Sequence, residues 1–241
     1  MDETHLCYEL TKLMNFKNPV MFDVGAHDGA SFSRFLEVGW RVVAFEPNPF
    51  KNPPIETLAQ KSNLLTLCKK AVSDKEEKNL TFYLSNISDG ISSLCNFHNS
   101  HKEAMFKVDS IRLDTYCEKF KINKINFLKI DTEGYDYFVL KSLDWSKFTP
   151  EIIECEFEDK KTKDKLKYCW KDMAEFLSNK GYKIIISEWY PIIQYGTTHK
   201  WKGFKQYSPS LDIDPNAWGN FIALKDQNIY DILISSFEIK E

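Results

Sequence analysis

The 241-residue sequence has no apolar run of the ~20 residues needed to span a bilayer. Its first residues, MDETHLCYEL, are acidic where a secretory leader is basic and then apolar. A cytoplasmic chain without a transmembrane segment is therefore expected. The six cysteines, Cys7, Cys68, Cys95, Cys117, Cys155 and Cys169, form no C-x-x-C pair, which argues against a zinc site or a disulfide framework and for reduced, mostly buried thiols. Basic excess is also missing. Thirty-two Lys and Arg face 35 Asp and Glu, and arginine is scarce, at Arg34, Arg41 and Arg112. With a pI near 6.0 there is no electrostatic footprint for nucleic acid. No internal repeat or low-complexity tract interrupts the chain.

What the sequence does contain is alternation. Hydrophobic residues make up 43%, enough for a sizeable core, and residues 1–241 read as one domain. Leu6, Leu10, Leu13 and Met14 recur at helical spacing within an N-terminal segment, residues 1–18, that ends at Asn18-Pro19. Then follow PVMFDV as a strand, GAHDG as a tight turn, and SFSRFLEVG as a helix stopped by Gly39. RVVAFEP, NLLTLCKKAV, NLTFYLS, INFLKI, IIECEFE, YKIIIS and GNFIALK read as further strands, with YDYFVLKSL and the Leu166 to Leu177 stripe as helices. Such alternation predicts a mainly parallel sheet covered by helices on both faces. One connection, residues 189–218, is too long and too aromatic to be an ordinary or a disordered loop, and reads as a substrate lid.

In an open parallel sheet, ligands bind at the carboxyl ends of the strands, where the strand order reverses. The first strand ends in Asp23-Val24-Gly25-Ala26-His27-Asp28-Gly29. The spacing is not the G-x-G-x-x-G of a dinucleotide turn, and an acid before the first glycine repels a pyrophosphate while suiting a ligand that presents an ammonium. D-x-G-x-x-x-G is the shape of an S-adenosylmethionine turn, although any strand-turn-helix junction can look similar. Glu46, followed by Pro47, ends the second strand where an acid accepts hydrogen bonds from both ribose hydroxyls. A third strand end, Lys129-Ile130-Asp131-Thr132-Glu133-Gly134, is expected beside the first. Period-two alternation puts Lys129 and Asp131 on one face, so the lysine holds Asp131 ionised, while Asp131 or Thr132 also suits a helix cap.

Taken together, FDVGAHDG, VVAFEPNP, KKAVSD and IRLDTYCEKFKINKINFLKIDTEGYDYFVLKSL resemble the FkbM family of S-adenosylmethionine-dependent methyltransferases over residues 19 to 158. The resemblance implies a class I, Rossmann-like methyltransferase sheet of seven strands with the last antiparallel, and methyl transfer to a hydroxyl of a small molecule such as a sugar, a nucleotide sugar or a polyketide. By that likeness the cofactor pocket comprises Asp23, Gly25, Ala26, His27, Asp28, Gly29, Glu46, Pro47, Ala71 and Asp131. His27 departs from the glycine common at its position in class I enzymes.

A hydroxyl is a weak nucleophile and needs a general base. Asp131 is the first candidate, with Glu133 and Glu156 behind it and Lys129 in support; His199 is an alternative base. Ser92 and Ser93, in ISDGISSL, resemble a substrate-side segment of the family. Glu156 and the insertion residues Tyr190, His199 and Trp201 are the other expected acceptor contacts, with a sugar or glycan destined for a surface polysaccharide as the leading acceptor. A divalent metal is not required by these motifs, although adjacent acids suit oxygen-ligand cations; His98 and His101 read as loop residues rather than ligands. DKKTKDKLK, residues 159–167, reads as a solvated helix start. A homo-oligomer is compatible with the sequence. A nicotinamide-dependent oxidoreductase is disfavoured by Asp23, and a non-catalytic cofactor-binding module is the remaining alternative.

Overall fold

A computed structural model of the chain describes residues 1–102 and 104–239. In chain order the elements are α1 (Glu3–Lys12), β1 (Val20–Val24), α2 (Ser33–Glu37), β2 (Arg41–Phe45), α3 (Asn52–Lys61), β3 (Leu65–Cys68), β4 (Ala71–Val72) and β5 (Leu80–Leu84). There follow β6 (Ala104–Val108), β7 (Ser110–Ile111), α4 (Leu113–Phe120), β8 (Phe127–Ile130), α5 (Asp136–Lys141), β9 (Ile152–Glu158) and α6 (Asp159–Thr162). The chain ends with α7 (Trp170–Asn179), β10 (Lys183–Trp189), β11 (Trp201–Gln206), β12 (Trp218–Leu224) and α8 (Gln227–Ser236).

The main sheet runs β11-β10-β12-β9-β8-β1-β2-β3. β1 pairs in parallel with β2 on one side and β8 on the other. The chain therefore winds outward from β1, then crosses back to β8, and the break between the two halves falls at the carboxyl end of β1. That is the position in which such sheets open a cleft. β12 enters antiparallel between β9 and β10, as the family resemblance implies for the last strand. The expected count of seven strands is corrected to eight among the described residues. The additional strand is β11, drawn from the aromatic insertion and paired antiparallel on the outer edge of β10. NLTFYLS is a strand but not of this sheet; as β5 it pairs with β6 in a separate ribbon.

Both faces are covered. On one, Leu113, Tyr116 and Cys117 of α4, Val139 and Leu140 of α5, and Met173, Ala174 and Leu177 of α7 pack on Phe22, Leu128 and Ile153. On the other, Cys7 and Leu10 of α1, Phe35 of α2, Ile55 of α3 and Leu233 of α8 pack on Met21, Phe127 and Ile152. The strand residues of the two sets alternate along β1, β8 and β9, as pleating requires. Each large apolar side chain removed from water in this way contributes about 1.5–3 kcal/mol.

Candidate active site

The turn after β1 is built by close backbone approach. Gly25 has φ +86°, and a Cβ there would lie 1.9 Å from the carbonyl oxygen of Asp131, so only glycine lets β1 and β8 end side by side. The N–H groups of Gly25 and Ala26 both donate to the Phe45 carbonyl, at 2.9 and 3.2 Å, which ties the turn to β2. His27 follows with φ +52°. That left-handed backbone turns its N–H onto Glu46 Oε2 at 2.8 Å, while the Asn48 N–H reaches Oε1 at 2.7 Å. Glu46 is buried, and burial pushes its carboxyl up to about 7 against the two amide donors that favour the ionised form.

A buried charged row crosses the sheet beside this turn. Asp23 pairs in register with Lys129, and Lys129 with Glu154, so all three side chains emerge on one face. Lys129 Nζ lies 3.9 Å from Asp23 Oδ1 and 3.2 Å from Asp131 Oδ2. Asp23 has no exposed surface and accepts from the Ser31 hydroxyl. Burial alone would lower the Lys129 ammonium, but the carboxylates of Asp131, Asp23 and Glu154 outweigh it and raise the group. Burial would raise Asp131 in turn; Lys129, with Lys161 behind it, holds that carboxyl below its ordinary value instead. Asp131 keeps 43% of its side chain exposed, the most accessible acid of the group.

Beyond Asp131 the acids become denser. Asp131, Glu133 and Glu156 each bring an oxygen into a set lying within 4.8 Å, a spacing a divalent ion could use. Glu133, at φ +56°, turns its carboxylate onto the Lys161 ammonium. Lys161 also lies 3.2 Å from Glu156 and 2.9 Å from Glu158. Burial pushes Glu133 up to about 7 and Glu156 well above the carboxylate range. Neither Asp131 nor Thr132 caps the following helix. Asp136 organises the loop instead, accepting from the N–H groups of Thr132 and Gly134 at 3.1 and 3.0 Å.

Of the expected residues, Gly25, His27, Glu46, Pro47, Ala71, Ser92, Asp131 and Glu133 line one cleft. Asp23, Ala26 and Lys129 lie beneath that lining, Gly29 packs on Phe32, and exposed Asp28 stands beside the His27 ring. Ser93 is wholly buried and its hydroxyl donates to the Glu133 carbonyl at 2.8 Å, clamping the acid loop from behind. Glu156 sits behind Glu133 on Lys161. Tyr190, His199 and Trp201 do not line the cleft: the Trp201 indole donates to Ser187, and His199 packs edge-on against Trp218. His98 and His101 anchor their segment, His101 through the Ile91 carbonyl at 2.8 Å.

Sequence reasoning missed three contributors. Lys51 and Asp89 meet across the cleft mouth, with Asp89 Oδ1 also 3.5 Å from His27 Nε2; Lys51 follows the legible Glu46-Pro47 turn, and Asp89 lies within ISDGISSL. Lys161 is the third; residues 159–167 are solvated as expected at Lys160, Lys163, Asp164, Lys165 and Lys167, and the reading is corrected at Lys161 and Thr162, which are buried. The lysine is 2% exposed because its ammonium lies among Glu133, Glu156 and Glu158. Sequence periodicity does not signal which lysine of the run turns inward.

The family profile of the methyltransferase FkbM domain matches residues 23–184. The chain belongs to the FkbM methyltransferase family. Proteins of curated function give no match. Among solved structures, the precorrin-6y C5,15-methyltransferase of Geobacter metallireducens GS-15 is 14% identical, over 91% of this chain and 86% of its own, with a TM-score of 0.44. Precorrin 8w decarboxylase of Methanobacterium thermoautotrophicum is 16% identical over 92% and 89%, with a TM-score of 0.45. The 1,6-didemethyltoxoflavin-N1-methyltransferase of Burkholderia thailandensis, solved with S-adenosylhomocysteine, is 15% identical over 91% and 76%, at 0.37. At such identities and TM-scores these likenesses say nothing of the acceptor.

This FkbM-family methyltransferase uses S-adenosylmethionine, and the cleft fits it. Among the described residues the buried Thr132 Oγ1 has no hydrogen-bond partner, and Thr132 lines the cleft beside Asp131. Buried polar groups left unpaired are costly, and a polar ligand relieves them. No helix among the described residues is long and apolar enough to cross a membrane.

Proposed function

We propose that this methyltransferase acts on a hydroxyl of a small polar acceptor, with a sugar or nucleotide sugar destined for a surface glycan as the leading class. The observation that carries this reading is Asp131: an accessible carboxylate at the cleft wall, kept ionised by a buried lysine at 3.2 Å. S-adenosylmethionine supplies an activated methyl group, so the protein has to align the acceptor and accept one proton. Glu46 would hold the ribose, and the Gly25 turn leaves room for the cofactor to approach the backbone. Asp131 takes the acceptor proton, which a weakly nucleophilic hydroxyl must lose as it attacks. Glu133 and Glu156 are less accessible than Asp131 and are already paired with the Lys161 ammonium, which suits them to orienting neighbouring hydroxyls rather than to taking the proton. Asp23, enclosed by Ser31 and Lys129, contributes through the field it shares with Lys129 rather than by direct contact.

The test is S-adenosylhomocysteine release over nucleotide sugars, simple glycosides and a polyketide alcohol, for the wild type and Asp131→Asn. The substitution should leave S-adenosylhomocysteine affinity within about twofold and lower turnover by roughly 10²–10⁴-fold, the usual contribution of a positioned base. Undiminished turnover in Asp131→Asn would remove Asp131 as the base.

A further inference from the structure

Besides Lys129, the acids of the proposed acceptor pocket enclose a second buried ammonium, Lys161, to which the sequence motifs give no role. Its side chain is 2% exposed. Its Nζ contacts Glu133, lies 3.2 Å from Glu156 Oε2 and 2.9 Å from Glu158 Oε2, and stands 5.4 and 5.9 Å from the ring centres of Phe97 and Tyr195. Tyr195 closes the arrangement from the insertion by donating its hydroxyl to Glu158 at 3.0 Å. Carboxylates buried at this density are tolerated only when a cation pairs with them and their remaining lone pairs are satisfied. Two of the three acids whose oxygens converge within 4.8 Å, Glu133 and Glu156, already have their cation, and it is covalently part of the chain.

We propose that Lys161 is the resident cation of the acceptor pocket: its ammonium takes the place that a divalent ion takes in a metal-assisted transferase, fixes Glu133 and Glu156 beside Asp131, and makes transfer independent of added metal. The geometry explains why a lysine serves. A metal ion must be captured from solution and keep its ligand count, whereas α6 delivers this ammonium from the same turn that ends β9. The rings of Phe97 and Tyr195, 5.4 and 5.9 Å from the ammonium, add a favourable placement for a cation. Lys161 is thus a positioning residue for the acids and not a base itself. The inference rests on the hydroxyl-transfer reading for its consequence in turnover, but not for its account of what occupies the pocket.

The experiment compares wild type and Lys161→Ala in EDTA, in Mn²⁺ and in methylammonium, reading S-adenosylhomocysteine release and, separately, Mn²⁺ binding by electron paramagnetic resonance. Wild-type turnover should be the same in EDTA and in Mn²⁺, with no Mn²⁺ held at the pocket. Lys161→Ala should keep S-adenosylhomocysteine affinity within about twofold, lose roughly 10²-fold in turnover in EDTA, bind Mn²⁺, and recover part of its turnover in Mn²⁺ or methylammonium. A purely structural lysine would not be rescued by a soluble ammonium. The proposal is overturned if wild-type turnover collapses in EDTA while the wild type binds Mn²⁺ at these acids, or if Lys161→Ala turns over at the wild-type rate in EDTA. Should Lys161→Ala not fold, the wild-type comparison in EDTA and Mn²⁺ decides the matter without it. Should no hydroxyl acceptor be turned over, the hydroxyl reading falls, and Mn²⁺ binding by the S-adenosylhomocysteine-bound wild type still decides for or against the lysine.

Discussion

At the scale of single residues, the site is organised by backbone as much as by side chains. His27 attracts notice in the sequence because it stands between two glycines, yet its N–H, turned by a left-handed φ, is what reaches Glu46. Glu46 in turn sets a pH dependence. With its carboxyl raised to about 7 by burial, it is protonated below that pH and ionised above it, and ribose hydroxyls donate to the ionised form. S-adenosylhomocysteine affinity is therefore expected to strengthen as pH rises from about 6 to about 8, with proton release on binding. Glu46→Gln should weaken affinity roughly ten- to a hundredfold, the equivalent of one charged hydrogen bond, and flatten the profile. Calorimetric titration in buffers of different ionisation heat measures both; a flat wild-type profile would count against Glu46 as the ribose acceptor. The glycine turn, Glu46 and the pairing of Lys129 with Asp131 were legible in the sequence because each depends on neighbours two to four positions away. The enclosure of Asp23 by Ser31 and Lys129 was not, because β8 supplies half of it.

At the scale of elements, the aromatic insertion divides into two parts. Residues 201–206 become an edge strand, since β10 leaves a row of open hydrogen-bonding groups that this segment fills. Residues 190–200 bring Tyr195 to Glu158 at the end of β9, where its ring stands 6.1 and 5.3 Å from those of Phe97 and His98. We propose this second part as the roof of the acceptor pocket. Tyr195→Phe, which removes only the hydroxyl that donates to Glu158, is expected to raise the acceptor KM several-fold and to leave S-adenosylhomocysteine affinity unchanged. Its stability cost, read by thermal unfolding, should be about 0.5–1.5 kcal/mol. An unchanged KM would separate the loop from acceptor binding. Sequence pattern could not divide the insertion, because strand pairing at an edge is decided by the partner. The same reason hid Lys161: its burial is set by Glu133, a carboxylate from a distant segment, together with Glu156 and Glu158, and a lysine in a lysine-rich run reads as solvated until those partners are known.

At the scale of the whole molecule, the order of the strands places charge where a core would ordinarily exclude it. Asp23, Lys129 and Glu154 lie in register across β1, β8 and β9, and the N-terminal turn of α1 covers the row, with the Thr4 hydroxyl donating to Glu154 at 2.8 Å. Burial pushes Glu154 up from 4.5 to about 8. Between these values the folded chain holds a proton that the unfolded chain has released, so this contribution to stability declines as pH rises and is lost above about 8. Glu46 and Glu133 act in the same direction through about 7. The thermal midpoint should fall between pH 6 and pH 9, and Glu154→Gln should reduce that fall; a midpoint that rises over this range would contradict the buried, protonated Glu154. The parallel sheet, its helices on both faces and the adjacency of β8 to β1 followed from alternation and from the matched strand-end motifs. The eighth strand and the buried row did not, because both arise from pairings between segments distant in the chain.

The central claim, transfer of a methyl group to a hydroxyl oxygen, is tested most directly by following the methyl carbon. With S-adenosylmethionine labelled with carbon-13 at the methyl group and an acceptor that supports S-adenosylhomocysteine release, the product resonance distinguishes oxygen-, nitrogen- and carbon-bound methyl. A resonance of a methyl ether on the acceptor, diminished in Asp131→Asn, is the expected result. A methyl group found on nitrogen or carbon would contradict it.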